Sequence, residues 1–216
     1  VDLLPLLEGN NKRDFEDPGR YILDPLADVN QLVETGPTYS DPAFKEHGVL
    51  LDFVLKLYRL GLIVIRTSRR ACIGAFFVDK KGTALRFVAD CRVSNSLCRP
   101  PPRTQMSTPS AMARLRLPEV GHAKGITATD MGGEICTADS MDDYEGILNA
   151  LDLADSFYQF KYTAMSDMFS FDDVFVAADF DTTTAIDENN DVVNVDGSEP
   201  VYACLGTLAM GFSWAL

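Results

Sequence analysis

The chain has 216 residues and 46% hydrophobic content, enough for one sizeable core, or for one domain and part of a second. Its net charge of −13 argues against a simple polyanion binder. No apolar run approaches the roughly 18–20 residues of a membrane span, so no membrane partner is expected.

The five cysteines form no CxxC pair, and the only two histidines, His47 and His122, have no partner at ligand spacing. This argues against a zinc site and reads as reduced thiols in an intracellular protein, with nucleus and cytoplasm not distinguished. The sequence begins at Val1 and stops at Leu216 within an apolar run, which reads as a segment of a longer protein. The charge is unevenly spread. Residues 1–125 carry 18 Lys/Arg and 14 Asp/Glu, whereas residues 126–216 carry one Lys and 18 Asp/Glu. A basic part followed by an acidic part suits a polyanion held by the first and metal cations held by the second, although solvated charged faces give the same pattern.

Residues 1–40 are rich in Pro, Gly, Asp and Asn and read as an irregular lead-in packed over the body. A fingers-like region, residues 41–117, follows. Asp41-Pro42 is a helix start, with Phe44, Leu51, Val54, Leu55 and Tyr58 on one face and Gly61 as the stop. Strands are expected at Leu62–Ile65, Ala71–Val78 and Leu85–Ala89, with a charged turn at Asp79-Lys80-Lys81-Gly82. This reads as a basic ribbon with Arg66, Arg69 and Arg70 in one loop and Lys80 and Lys81 in the other. Arg99 to Arg103 is an extended Pro-rich connector, and Pro109–Leu117 reads as a short helix.

Residues 118–146 show no period and read as a loop or insertion. Residues 147–216 read as a partial sheet domain. The segment Leu151 to Phe160 begins as a strand, with Leu151 and Leu153 flanking Asp152, and turns through Ala154, Asp155 and Ser156 into Phe157 and Tyr158. A strand side chain stands clear of its neighbours, so Asp152 is placed like a metal ligand at a sheet edge, or else is an ordinary turn carboxylate. Phe160–Thr163, Val174–Phe180 and Val201–Leu205 read as strands, and 181–199 as an acidic insertion with an Asp196-Gly197 turn. Asp187, Asn189 and Asp191 are spaced like calcium-loop ligands, but Val192 stands where that loop needs Gly. Leu208 to Phe212 is an apolar turn containing Gly211.

Three blocks fall in order. The first is Phe76 to Gly82, then Leu85 to Asn95 with Arg86, Asp90, Arg92 and Asn95. The second is Leu151 to Tyr158. The third is Leu208-Ala209-Met210-Gly211-Phe212. Over roughly residues 45–216 this resembles the fingers and first half of the palm of reverse transcriptases, especially those of retroelements. The family pattern is a Lys-rich turn, Arg-x-x-x-Asp-x-Arg-x-x-Asn, a strand bearing the first catalytic Asp, then Leu-Pro-x-Gly-aromatic. Ala209 replaces the usual Pro, and Met210 stands where retroviral enzymes have Gln.

The resemblance implies an α+β fold of fingers and incomplete palm, an antiparallel sheet with packed helices. It implies nucleotide addition to a primer on an RNA or DNA template by in-line phosphoryl transfer, with two Mg²⁺ ions clamping attacking and leaving oxygens. Asp152 would be the first metal carboxylate and the Leu153 backbone carbonyl a second oxygen ligand. Lys80, Lys81 and Arg86 would grip the deoxynucleotide triphosphate. Asp155 and Ser156 would offer it backbone N–H groups, and Phe157 would exclude a 2′-hydroxyl. Met210 and Gly211 would approach the nucleotide closely, and Asp90 with Arg92 would form a structural ion pair. The pattern's later aromatic-x-Asp-Asp block is not in the sequence. Asp142-Asp143 and Asp172-Asp173 fall at the wrong place in the order, so these 216 residues are expected to be inactive alone. Two rival readings are a non-catalytic relative that binds nucleic acid or protein, and an RNA-templated RNA polymerase.

Overall fold

The computed structural model describes residues 1–27, 38–80, 85–102, 127–129, 135–137 and 156–215. Two units are present, one of Val1–Pro102 with Ala154–Leu216, the other of Arg103–Leu153. In chain order the helices are α1 (Gly9–Glu16), α2 (Pro18–Tyr21), α3 (His47–Arg59) and α4 (Arg92–Ser96), with a helical turn at Ser156–Gln159. The strands are β1 (Ile63–Arg66), β2 (Cys72–Asp79), β3 (Leu85–Asp90), β4 (Thr127–Thr129), β5 (Ile135–Thr137), β6 (Ser170–Phe171), β7 (Phe175–Val176), β8 (Thr184–Ile186), β9 (Val192–Asn194) and β10 (Pro200–Leu205). The chain is α+β, with few helices and a mostly antiparallel sheet.

In the larger unit the strand order is β3-β2-β6-β10-β1-β8-β9, with β7 also on β10. Alternate residues of the central strands enter the core, with Ile63 and Ile65 on β1 and Val201, Ala203 and Leu205 on β10. The two strands run antiparallel, Ile63 opposite Leu205 and Arg66 opposite Tyr202. Among the described strand pairs, β2–β6 and β1–β8 are parallel and the others antiparallel. Helix α3 buries Leu50, Val54 and Leu57, one stripe at helical spacing, and Gly61 at φ +72° ends it in a backbone state that favours glycine.

The helix start differs from the sequence reading. Asp41 caps a 3₁₀ turn, Pro42–Lys45, through Ala43 N–H, and extended Glu46 breaks the run before α3. The break folds Phe44 back to stack on Phe53, centroids 5.0 Å apart. The lead-in is also more ordered than its composition suggests. Leu3, Phe15 and Ile22 are buried, and Phe15 meets Tyr162 and Trp214 edge-on.

Two other readings are corrected. Lys161 makes only isolated bridges, to Asp2 and Thr207, in place of a 160–163 strand. The 174–180 strand is cut to β7, because Asp179 accepts from Val176 N–H and closes a 3₁₀ turn, Ala177–Phe180. The acidic 181–199 stretch is a β8–β9 hairpin, with Asp187 Oδ1 accepting from the N–H groups of Asn189 and Asp191 to shape its turn. In the smaller unit, β4 and β5 form a hairpin within the stretch read as a loop. The expected 109–117 helix and the strand carrying Asp152 lie outside the described residues.

Candidate functional site

Strands β2 and β3 pair from Gly74 opposite Asp90 to Asp79 opposite Leu85. Period-two alternation places Arg86 on β3 opposite Val78, exposed near the hairpin tip, where Lys80 is exposed too. Lys81 lies outside the described residues. The arginines at the other end of the ribbon are used internally. Arg66 is 1% exposed. Arg69 pairs with Asp172 at 3.6 Å and donates to Phe171 O, while Arg70 pairs with Asp167 at 3.1 Å. All three are engaged within the fold, Arg66 buried and Arg69 and Arg70 ion-paired, whereas Arg86 and Lys80 stand exposed at the tip.

Where β3 ends, Asp90 gathers four donors. Arg92 Nε donates to Oδ1 at 2.9 Å and Nη2 to Oδ2 at 2.6 Å, Arg92 N–H also reaches Oδ1, and Tyr39 N–H reaches Oδ2 at 2.7 Å. The Arg92 guanidinium, with help from the two backbone N–H groups, holds the Asp90 carboxyl below its ordinary pKa. The Asp90 side chain is 8% exposed and that of Arg92 is 55% exposed, so the pair presents a cation to solvent on an anchored base.

One turn later Asn95 reaches the third block. Its Nδ2 donates to Gly211 O at 2.8 Å and its Oδ1 accepts from Ser213 N–H at 2.9 Å. Gly211 has φ +114°, and a Cβ there would stand 2.5 Å from Ala89 O. Both facts require glycine if the turn is to lie against β3. Met210 is half-buried beside it, and Ala209, at the family's Pro position, is buried. Together these elements bound a cavity of about 420 Å³, lined by Phe76, Tyr39, Asp90, Arg92, Asn95 and Gly211 among others.

The second block is described from Ser156, which opens a helical turn; Asp152, Leu153 and Asp155 lie outside the described residues. Phe157 is half-buried. Tyr158 stacks on Phe87, centroids 5.8 Å apart, and its hydroxyl donates to Phe87 O at 2.9 Å. Of the two aromatics, Tyr158 thus has the packing role. Among the described residues no group of three or more His, Cys, Asp or Glu side chains is placed to hold a metal ion. Asp172 pairs with Arg69, and Asp173 with His47 at 2.6 Å.

The Asp90-to-Asn95 segment and Gly211, far apart in sequence, are thereby drawn to one cavity with an aromatic wall and a cation. Such a lining accepts a planar ring carrying negative charge. One lining residue, Tyr39, and one neighbour beneath it, Gly74, were not singled out from the sequence. Tyr39 sat in a stretch read as irregular, and Gly74 is an isolated Gly within a strand, a known sign of close backbone approach. No family model, curated protein or solved structure matches the chain.

Proposed function

We propose that the chain carries the fingers and the first part of the palm of an RNA-directed DNA polymerase, whose substrates are a primed template and deoxynucleotide triphosphates. The observation that supports this most is the meeting of the Arg86-to-Asn95 block with the Gly211 turn around one cavity, with Tyr158 tied to the same strand. On this reading Arg86, Lys80 and Lys81 neutralise the triphosphate from the hairpin tip. Phe157 stands under the sugar, and the Met210–Gly211 backbone backs the base.

Magnesium would supply charge neutralisation at the attacking and leaving oxygens. The ligands assigned to it, Asp152 and the Leu153 carbonyl, lie outside the described residues, and the described residues offer no donor set for it. No step is therefore derived through the metal. What the described residues do is grip phosphate, present an aromatic wall and fix the backbone of the Gly211 turn.

The test is primer extension on an RNA template by a polypeptide that carries this sequence through a later Asp-Asp block, beside its Asp152→Asn variant. Templated deoxynucleotide addition that Asp152→Asn abolishes supports the reading. Addition of ribonucleotides alone moves it to an RNA-templated RNA polymerase. Template binding without extension moves it to a non-catalytic binding relative.

A further inference from the structure

The segment 38–41 does not run along the sheet but crosses it. Asp41 N–H donates to Ala75 O at 2.8 Å, and Ala75 N–H donates to Ser40 Oγ at 3.1 Å. These bonds fix the segment to β2 beyond the point where β6 pairs with it, at Cys72 and Ile73. The chain then passes over the face of β2 at Gly74, where a Cβ would stand 1.9 Å from Tyr39 O and 2.6 Å from Tyr39 C. On the far side Tyr39 N–H reaches Asp90 Oδ2, on the β3 residue directly opposite Gly74. Gly74, Phe76 and Asp90 share one face of the hairpin, as strand alternation and register require. The Tyr39 ring therefore lands edge-on to Phe76, centroids 5.3 Å apart, and is 56% exposed at the cavity.

We propose that residues 38–41 form a strap that makes Tyr39 a stacking platform for an unpaired nucleobase, with Asp90 as its positioning residue and Gly74 as the passage that lets it cross. The platform rests on the polymerase reading; the strap does not. Three features carry it. The segment is held through its backbone, and the Tyr39 ring stays 56% exposed where it lines the cavity. The Arg92 cation belongs to the same Asp90 cluster and suits the phosphate of the nucleotide that stacks. Gly74 is not among the residues lining the cavity, so its bare Cα serves the strap and not the ligand.

The experiment uses the full chain and a short single-stranded RNA containing 2-aminopurine. Stacking is read by quenching of its fluorescence, binding by anisotropy, and the strap by hydrogen exchange at the Tyr39 and Asp41 amides. Gly74→Ala and Asp90→Asn should each speed that exchange roughly tenfold, since the first puts a methyl group in the path of Tyr39 and the second removes the charge from the Tyr39 anchor and loses its Arg92 brace. Tyr39→Ala and Gly74→Ala should lose the quenching, and Tyr39→Phe should keep it. Unchanged exchange in both Gly74→Ala and Asp90→Asn overturns the strap. Wild-type quenching by Tyr39→Ala, with binding intact, overturns the platform alone. Absence of RNA binding by the wild-type chain overturns the polymerase reading and the platform with it, and leaves the strap to be decided by exchange.

Discussion

Asn95 grips the turn after Met210 from both sides, donating to Gly211 O at 2.8 Å and accepting from Ser213 N–H at 2.9 Å. A side-chain amide has one carbonyl and one NH₂ on separate atoms, so a single residue replaces two missing backbone partners. Asn95→Ala should cost about 1–2 kcal/mol, because both contacts are partly open to water. Asn95→Asp should be nearly as costly, since a carboxylate has no donor for Gly211 O. Urea unfolding of both variants checks this; an Asp variant as stable as wild type would refute the two-sided grip.

Arg66 presents a different balance. Its guanidinium is buried and donates to Ser166 Oγ, Thr163 O, Asn190 Oδ1 and, at 2.6 Å, Asp187 O, while its Nε finds no partner among the described residues. The charge thus ties the β8–β9 hairpin and the 163–166 turn to β1 through neutral oxygens. Arg66→Ala leaves those acceptors unsatisfied in a dry site and should cost about 3–5 kcal/mol. Arg66→Lys should recover little of it, because an ammonium cannot span the fork. Thermal unfolding with exchange across residues 184–194 reads both the total loss and the release of the hairpin.

Phe157 and Tyr158 differ in what they touch. Tyr158 is committed to Phe87 through its ring and its hydroxyl, so under the proposed polymerase reading Phe157 is the candidate gate for the sugar. In an active polypeptide carrying this sequence, Phe157→Val should raise ribonucleotide incorporation by roughly tenfold to a hundredfold, with little change for deoxynucleotides. Tyr158→Phe should leave sugar choice unchanged and lower stability by about 1 kcal/mol for the lost hydrogen bond. Single-nucleotide incorporation with matched dNTP and rNTP distinguishes them, and unchanged rNTP rejection by Phe157→Val removes the gate assignment.

How much of this was legible beforehand follows from the range of each signal. The β2–β3 hairpin and β10 were visible because β-branched and aromatic runs with a charged turn carry their own period. The α3 stop was visible at Gly61 for the same local reason. The β8–β9 hairpin was hidden, since three-residue strands among acids have no period to read, and its support, Arg66, lies over a hundred residues away. Arg66, Arg69 and Arg70 looked like a basic loop because sequence shows charge and not partners. The strap was illegible at Tyr39 yet signalled at Gly74, where a glycine interrupts an otherwise regular strand. Asp90, Arg92 and Asn95 were picked out by spacing, but the spacing did not show that Asn95 holds the Gly211 turn.

The Asp90 cluster should respond to acid in one direction. Its carboxyl titrates below the ordinary carboxylate range when folded, chiefly through Arg92 and then the Tyr39 and Arg92 N–H groups. The stabilisation is therefore present above the unfolded carboxyl pKa of about 3.9 and is lost as pH falls towards the lower folded value. Wild type should exceed Asp90→Asn in stability by a constant margin from about pH 7 to pH 5, and that margin should shrink below about pH 4. Denaturant midpoints at each pH test it, and a margin unchanged in acid would refute it.

The thiols should respond in the opposite sense. Burial pushes Cys91, Cys98 and Cys204 up to about 12 and Cys72 up to about 11, from an ordinary value of 9.0. Folded, these groups stay protonated where an unfolded chain would ionise them. Their contribution is thus complete below about pH 8.5 and falls as pH rises towards the folded values. At pH 8 the native chain should alkylate at Cys72 before the other three, because Cys72 alone of the four is only partly buried. Iodoacetamide labelling followed by peptide mass analysis, native against urea-unfolded, reads the order. Rapid native labelling of Cys91, which lines the cavity beside Gly211, would mean that the Gly211 turn lifts from β3 far more readily than the Asn95 grip allows.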